Sequence, residues 1–373
     1  MADSFWLAEP AAPLAVRRLD GPPEVEVVGG GVTGCSCALA LARAGVRVRL
    51  HEARTIAGGA SGRNGGFALR GGAMPYDEAR RSLGVDRAKA FWELTERGLR
   101  EIRALAGDAY RQTGSLRLAS DAAELRELDV EFRALKEDGF EVDWLDQLPP
   151  QLARFAGGVR HPPDGAIHPA RWVRRLAQHA ADAGAELREG SPIASLTELS
   201  APTLVIATDG YTQGLVPELD EVVGPVRNQV VVTEPLSELL FPLPHYARHG
   251  YDYWQQTPDR RLFVGGRRDA DESENTSDEA LTSVIQERLE AFIVELVGSL
   301  PEITHRWAGI FGSSPDGRPL AGAVPGYEGV WVAAGYSGHG NVLGFVCGEL
   351  VAAAILGGSP PELELFDPAR ILA

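Results

Sequence analysis

Apolar positions along this chain alternate between two periods. Val25-Glu26-Val27-Val28 is a β-branched run that stops at glycines. A small-residue helix follows over Cys35 to Ala42, and a second alternating run, Val46, Val48 and Leu50, ends at Glu52. A helical stripe of Phe91, Leu94, Leu99, Ile102 and Leu105 predicts a helix over 77–106. Similar spacing predicts helices over 121–138, 170–183 and 279–299, with a last one beginning after Gly340. Strands are expected at 115–119, 140–144, 185–193 and 203–207, then at 226–232, 251–255, 261–264, 305–313 and 329–334. Residues 7–23 read as a Pro- and Ala-rich surface arm, 55–75 as an irregular glycine-rich loop, and 269–278 as an acidic linker. Nucleotide-type segments at the start, middle and end, separated by helical and β insertions, predict a discontinuous cofactor domain. The insertions would combine as a substrate domain.

The first of those segments carries the clearest chemistry. Gly29, Gly31 and Gly34 stand in G-x-G-x-x-G register between a strand and a helix, with Val32 and Thr33 inside the motif. Such glycines permit a tight turn, close approach to a pyrophosphate and close helix–strand packing. Glu52, 18 residues past Gly34, stands near the spacing of the carboxylate that accepts from a ribose hydroxyl. Glu26 is the departure, because a buried parallel strand is usually apolar throughout.

Composition narrows the partners. With 373 residues, two domains are the natural expectation. A balance of 36 basic against 52 acidic residues, net −16, argues against nucleic acid or an anionic membrane surface. No basic, then apolar, leader is evident at the N-terminus. The longest apolar run, Val342 to Leu356, contains Glu349 and is too short for membrane insertion. Cys35, Cys37 and Cys347 read as small packing residues in a reducing, cytoplasmic setting, and no metal-ligand spacing is present.

Four further segments fit one family: Gly59-Ala60-Ser61-Gly62-Arg63-Asn64-Gly65-Gly66, Leu204 to Tyr211 with Ala207-Thr208-Asp209 at the strand end, Ser314 to Pro319, and Gly335-Tyr336-Ser337-Gly338-His339-Gly340. With the N-terminal glycines, these make the chain resemble the FAD-dependent D-amino-acid oxidase superfamily, particularly its glycine, sarcosine and γ-glutamylputrescine oxidase branch. The resemblance implies an α/β fold, a discontinuous Rossmann-like FAD-binding domain (1–75, 150–218 and 301–373) and an α+β substrate domain with an antiparallel sheet (76–149 and 219–300). It implies FAD contacts from Gly29, Gly31, Val32, Thr33, Gly34, Glu52, Ala53 and Arg54, and from Gly59, Ala60, Ser61, Arg63, Asn64, Gly65 and Gly66. Ile193, Ala207, Thr208, Asp209, Gly338, His339, Gly340, Asn341 and Val342 complete the set. His339 would sit beside the ring at the last helix's N-terminus, where free N–H groups favour negative charge. Arg70 falls where sarcosine oxidases hold a substrate carboxylate, and Tyr253 and Trp254, on opposite strand faces, are the aromatic candidates for the pocket.

Three departures qualify the resemblance. Val342 replaces the second carboxylate-binding group, a Lys. Phe263 stands where such oxidases carry an oxygen-activating Lys. Ala308 to Phe311 contains no Cys, so FAD is expected to be non-covalent. The expected activity is oxidation of the C–N bond of a primary or secondary amine or amino acid, with O2 or another electron acceptor. The alternatives are a hydroxy-acid or polyol dehydrogenase of the same superfamily, or a non-catalytic nucleotide-binding protein.

Overall fold

The structure, a computed structural model, describes residues 4–14 and 17–372. Expectations touching residues 1–3, 15–16 and 373 lie outside them. Eight α-helices occur among these residues: α1 (Val32–Arg43), α2 (Tyr76–Leu83), α3 (Val85–Ala106), α4 (Ala122–Glu137), α5 (Pro169–Ala183), α6 (Pro217–Val222), α7 (Ser283–Val297) and α8 (Gly340–Ile355). The helix expected over 77–106 is two, because Gly84 at φ 83° ends α2 and starts α3 at an angle.

A six-stranded sheet runs in the order 320–323, 330–334, 203–206, 25–28, 48–51, 186–188. All its pairings are parallel except that of the 320–323 edge strand. The strand expected to continue to Ile193 ends at Arg188. Helix α1 packs against α5 and α8 over this sheet. The α1–α8 approach is close because α8 offers glycines there: a Cβ on Gly348 would lie 2.5 Å from Thr33 O. Glu26 is accommodated in its strand by full pairing. One oxygen accepts from Arg49 and meets the His51 ring, and the other accepts from Ser200 N and Ala201 N at 2.7 and 2.9 Å.

An eight-stranded, mostly antiparallel sheet follows the order 303–313, 224–235, 261–266, 252–256, 245–247, 115–119, 157–161, 143–145. Strands 157–161 and 303–313 fall inside the ranges expected for the FAD domain yet pair here, so the sheets divide the chain differently at those two places. A small third sheet joins 67–68, 165–167 and 110–111. One face of the eight-stranded sheet packs on α7 around Trp254, Leu262, Val264 and Phe292. Its other face looks toward the six-stranded sheet's ligand-binding edge.

The N-terminal segment adds a feature that apolar spacing does not reveal. Ser4 and Trp6 are buried; Ser4 Oγ donates to Gly62 O at 2.6 Å and Trp6 Nε1 to Asn64 O at 2.8 Å. No helix among the described residues is long and apolar enough to cross a membrane.

Candidate active site

A cavity of about 820 Å3 runs between the two large sheets, within the usual range for a small-molecule site. Its floor begins at the carboxyl ends of the parallel strands, where open α/β sheets bind ligands. Gly29 takes φ 113°, and a Cβ there would lie 2.4 Å from Ala207 O. A Cβ on Gly31 would meet Ser61 Oγ at 2.9 Å. Gly34 lies behind this surface: its Cβ would strike Gly29 O at 1.9 Å, so it serves helix–strand packing and does not line the cavity. Glu52 is buried beside the turn, its oxygens accepting from Gly30 N at 2.7 Å and Arg54 N at 2.8 Å. Burial raises its pKa against those two hydrogen bonds. Each oxygen keeps a second lone pair, so accepting from a ribose hydroxyl remains open to it. Ala53, Arg54 and Ile193 line the same end.

The glycine-rich loop forms a second wall. Asn64 and Asn341 exchange amide hydrogen bonds, both at 3.1 Å, tying the loop to the first turn of α8. Gln255 Nε2 donates to Gly65 O at 2.6 Å, and Trp307 Nε1 to Arg63 O at 2.7 Å. Gly59, Ala60, Ser61, Arg63, Asn64 and Gly65 line the cavity. Gly66 does not, being turned at φ 77° under Ile167 and Gln255.

The third wall is the C-terminal turn. Asp209 accepts from Gly312 N and Gly335 N, both at 2.8 Å, and so clamps this turn to the end of strand 303–313. Ala207, Thr208 and Asp209 line the cavity beside Gly338, His339, Gly340, Asn341 and Val342. Neither α1 nor α8 is capped by the side chain of its own N-cap residue, though Val32 N donates to Ser61 Oγ at 3.0 Å, and both helices open onto this one space. His339 keeps part of its ring open to the cavity while protein surrounds it. Burial lowers its pKa to about 4 against a contact with the Ser337 backbone, and its buried Nδ1 makes no hydrogen bond of ordinary geometry among the described residues. It is therefore a neutral imidazole at neutral pH.

These observations fit FAD. Two helix N-termini opening on the cavity suit a diphosphate and an electron-rich ring edge. The cradle is one that Cβ atoms at the glycines would fill, and Glu52 and His339 belong to its opposite ends.

Three further sequence expectations change. Trp254 is fully buried on the far face of its strand, stacked on Phe155 and His245 and edge-on to Phe292, so it takes no part in the cavity. Strand alternation allowed only one of the two aromatics inside, and that is Tyr253, packed against Gly65 and Gly265. Arg70 reaches the cavity wall but is already engaged. It bonds Glu96 at 2.7 Å and Glu141 O at 3.2 Å, and lies 3.3 Å from His161 Nδ1. It is therefore no open receiver for a carboxylate. Phe263 does not face the cavity either; it stacks on Trp6 at 4.3 Å, in contact with Phe5 and Trp307.

The sequence reading missed Asn228, Tyr246, Tyr251, Arg117 and Arg268 as site residues, all of which line the cavity. Only the β-insertion's alternation pointed toward that wall. The three cysteines are buried free thiols, with burial pushing Cys37 up to about 12.

The sequence model of the DAO family, described as FAD dependent oxidoreductase, matches residues 24–354. The chain is 30% identical to "Probable oxidoreductase OrdL" of Rhizobium meliloti (strain 1021) across 94% of its own length and 86% of that protein's. It is also 30% identical to gamma-glutamylputrescine oxidoreductase of Escherichia coli (strain K12), across 92% and 85%. Its fold resembles that of glycine oxidase from Geobacillus kaustophilus, with a TM-score of 0.76 at 24% identity over 94% and 98% of the two chains. A match over nearly the whole chain joins the geometry of the cradle in one conclusion: the protein belongs to the DAO family of FAD-dependent oxidoreductases, and FAD is its cofactor.

Proposed function

We propose that this chain oxidises the C–N bond of a small amine or amino acid, with non-covalently bound FAD and with O2 or another oxidant as final acceptor. The observation that carries this reading is the pairing of an open α8 N-terminus with a neutral, half-buried His339 on a partly apolar substrate space. Phe67, Leu69, Met74 and Trp92 line that space, which excludes water and strengthens every fixed dipole within it. When bound, FAD supplies the acceptor for a hydride. The substrate's α-carbon gives up hydrogen with its bonding pair, and the nitrogen lone pair closes the C=N bond. Water then adds to the iminium carbon and releases carbonyl compound, amine and a proton. No strong base is required, and none of the residues facing this space is an open carboxylate: Glu131 is held by Arg117 and by Tyr76 N. The backbone N–H groups of α8 favour the negative charge that arrives. His339, uncharged, borders the space without competing as a cation. Tyr253 shapes the wall against the glycine-rich loop, so that orientation supplies much of the rate.

The likeness to gamma-glutamylputrescine oxidoreductase supports an amine over a hydroxy acid. Anaerobic mixing of the purified yellow protein with glycine, N-methylglycine, 4-aminobutyrate, putrescine and lactate tests the reading. Bleaching by at least one amine, with none by lactate, is expected. Bleaching by lactate alone, or by nothing in an amine panel, overturns it.

A further inference from the structure

Five arginines line the cavity: Arg54, Arg63, Arg70, Arg117 and Arg268. Four are engaged. Arg54 pairs with Glu279 at 2.8 Å, Arg63 donates to Gly58 O at 3.0 Å, Arg70 pairs with Glu96, and Arg117 pairs with Glu131. Arg268 differs: its guanidinium has no hydrogen-bond partner among the described residues. The adjoining acid, Asp269, is held by Arg248.

Aromatic rings hold the Arg268 guanidinium, 4.4 Å from the Tyr251 ring centroid and 5.4 Å from that of Phe311. A guanidinium's donors radiate in its own plane, so stacked rings fix its face and leave the fork of N–H groups available. The backbone before it is built to deliver it. Gly266 takes φ 112°, where a Cβ would lie 2.1 Å from Tyr251 O. Arg267 takes φ 61° and donates its N–H to Tyr251 O at 2.6 Å, while its side chain pairs with Asp252 at 2.7 Å. Left-handed backbone at a non-glycine residue persists only where surrounding contacts hold it. The adjacent wall is polar too. Asn228, on the same strand face as Val226, has a buried Oδ1 without a partner, and Val226 pairs across the sheet with Phe311. Burial lowers the Arg268 pKa, but a guanidinium is basic enough to stay charged.

We propose that Arg268 is the specificity-determining residue that receives the substrate's carboxylate, so that the preferred substrates are amines bearing an anionic group. This rests on reading the cavity as an amine-oxidising site. It assigns the role expected of Arg70 to a residue from the opposite wall, in the β insertion.

The test is a titration of FAD-loaded protein with acetate and with acetamide, which share a shape and differ in charge, read by the flavin visible spectrum and by calorimetry. Wild type should bind acetate at least about 10-fold more tightly than acetamide. Arg268→Gln should weaken acetate by about 10–100-fold and leave acetamide unchanged, the range for a charged hydrogen bond. Arg268→Lys should fall between, keeping the charge and losing the fork. FAD content and melting temperature are measured for each variant, and if Arg268→Gln loses its flavin, Arg268→Lys carries the comparison. Equal wild-type affinity for the two probes, or an unchanged ratio in the variants, overturns the proposal. Acetate binding involves no turnover, so the two readings fail separately. Arg268-dependent acetate binding without bleaching by any amine removes the amine-oxidising reading and keeps the anion site. Amine bleaching with an indifferent Arg268 does the reverse.

Discussion

Arg70 and His339 show how a residue's neighbours decide its use. The Arg70 side chain is 1% exposed and holds Glu96 while meeting His161 and the Phe140 ring. Removing it strands buried polar groups, a loss worth about 1–3 kcal/mol. Arg70→Met should therefore lower the melting temperature and reduce turnover of carboxylated and uncharged amines by the same factor. A selective loss for carboxylated amines would return the substrate role to Arg70. His339 has the opposite character, with a neutral ring at the cavity wall. His339→Ala should retain FAD, which the glycines and two helix ends still hold, while anaerobic flavin reduction slows. Because the ring is already neutral, the rate profiles of the two proteins should run parallel between about pH 6 and 8. An inflection present only in wild type would show that this imidazole titrates there.

At the scale of elements, local signals were legible and partner choice was not. The strand–glycine–helix unit at 25–43 and strand 115–119 could be read from the chain because their apolar periods are complete within a few residues. Strand 245–247 could not. It is three residues long, and it pairs in parallel with 115–119 from a distant part of the sequence. The same limit hid Arg268, since an Arg-Arg pair beside an acidic linker looks solvated until the sheet brings Tyr251 and Phe311 beneath it. Choosing between Tyr253 and Trp254 likewise required knowing which face α7 covers. The short strand carries its own consequence. His245 is stacked on Trp254, its Nδ1 donates to Leu243 O at 2.6 Å, and burial lowers its pKa to about 4. The unfolded chain takes up this proton at about pH 6.5, before the folded protein does, so the stabilising contribution is full above that pH and is lost as pH falls toward 4. Urea unfolding of wild type and His245→Gln should therefore show wild type losing about 3 kcal/mol relative to the variant over that interval. A constant difference would mean that the ring titrates normally.

For the whole molecule, the docked N-terminus has a consequence for cofactor retention. Ser4 and Trp6 bond the carbonyls of Gly62 and Asn64, in the loop whose other surface lines the cavity, and Trp6 covers Phe263. These residues precede the stretch matched by the family, which begins at residue 24. In binding terms the segment is a tethered ligand of the FAD loop, and tethering keeps its effective concentration high without a strong contact. Reciprocity then requires that whatever FAD contributes to the loop's order also tightens the docking of the N-terminus, and the converse. A chain lacking residues 1–9 should release FAD at lower urea than the full chain, and a synthetic peptide spanning residues 1–9 at millimolar concentration should restore part of the difference. Conversely, FAD-loaded protein should resist aminopeptidase trimming at its N-terminus longer than apoprotein does. Equal trimming rates and equal FAD retention would mean that the segment packs on the loop without being coupled to it.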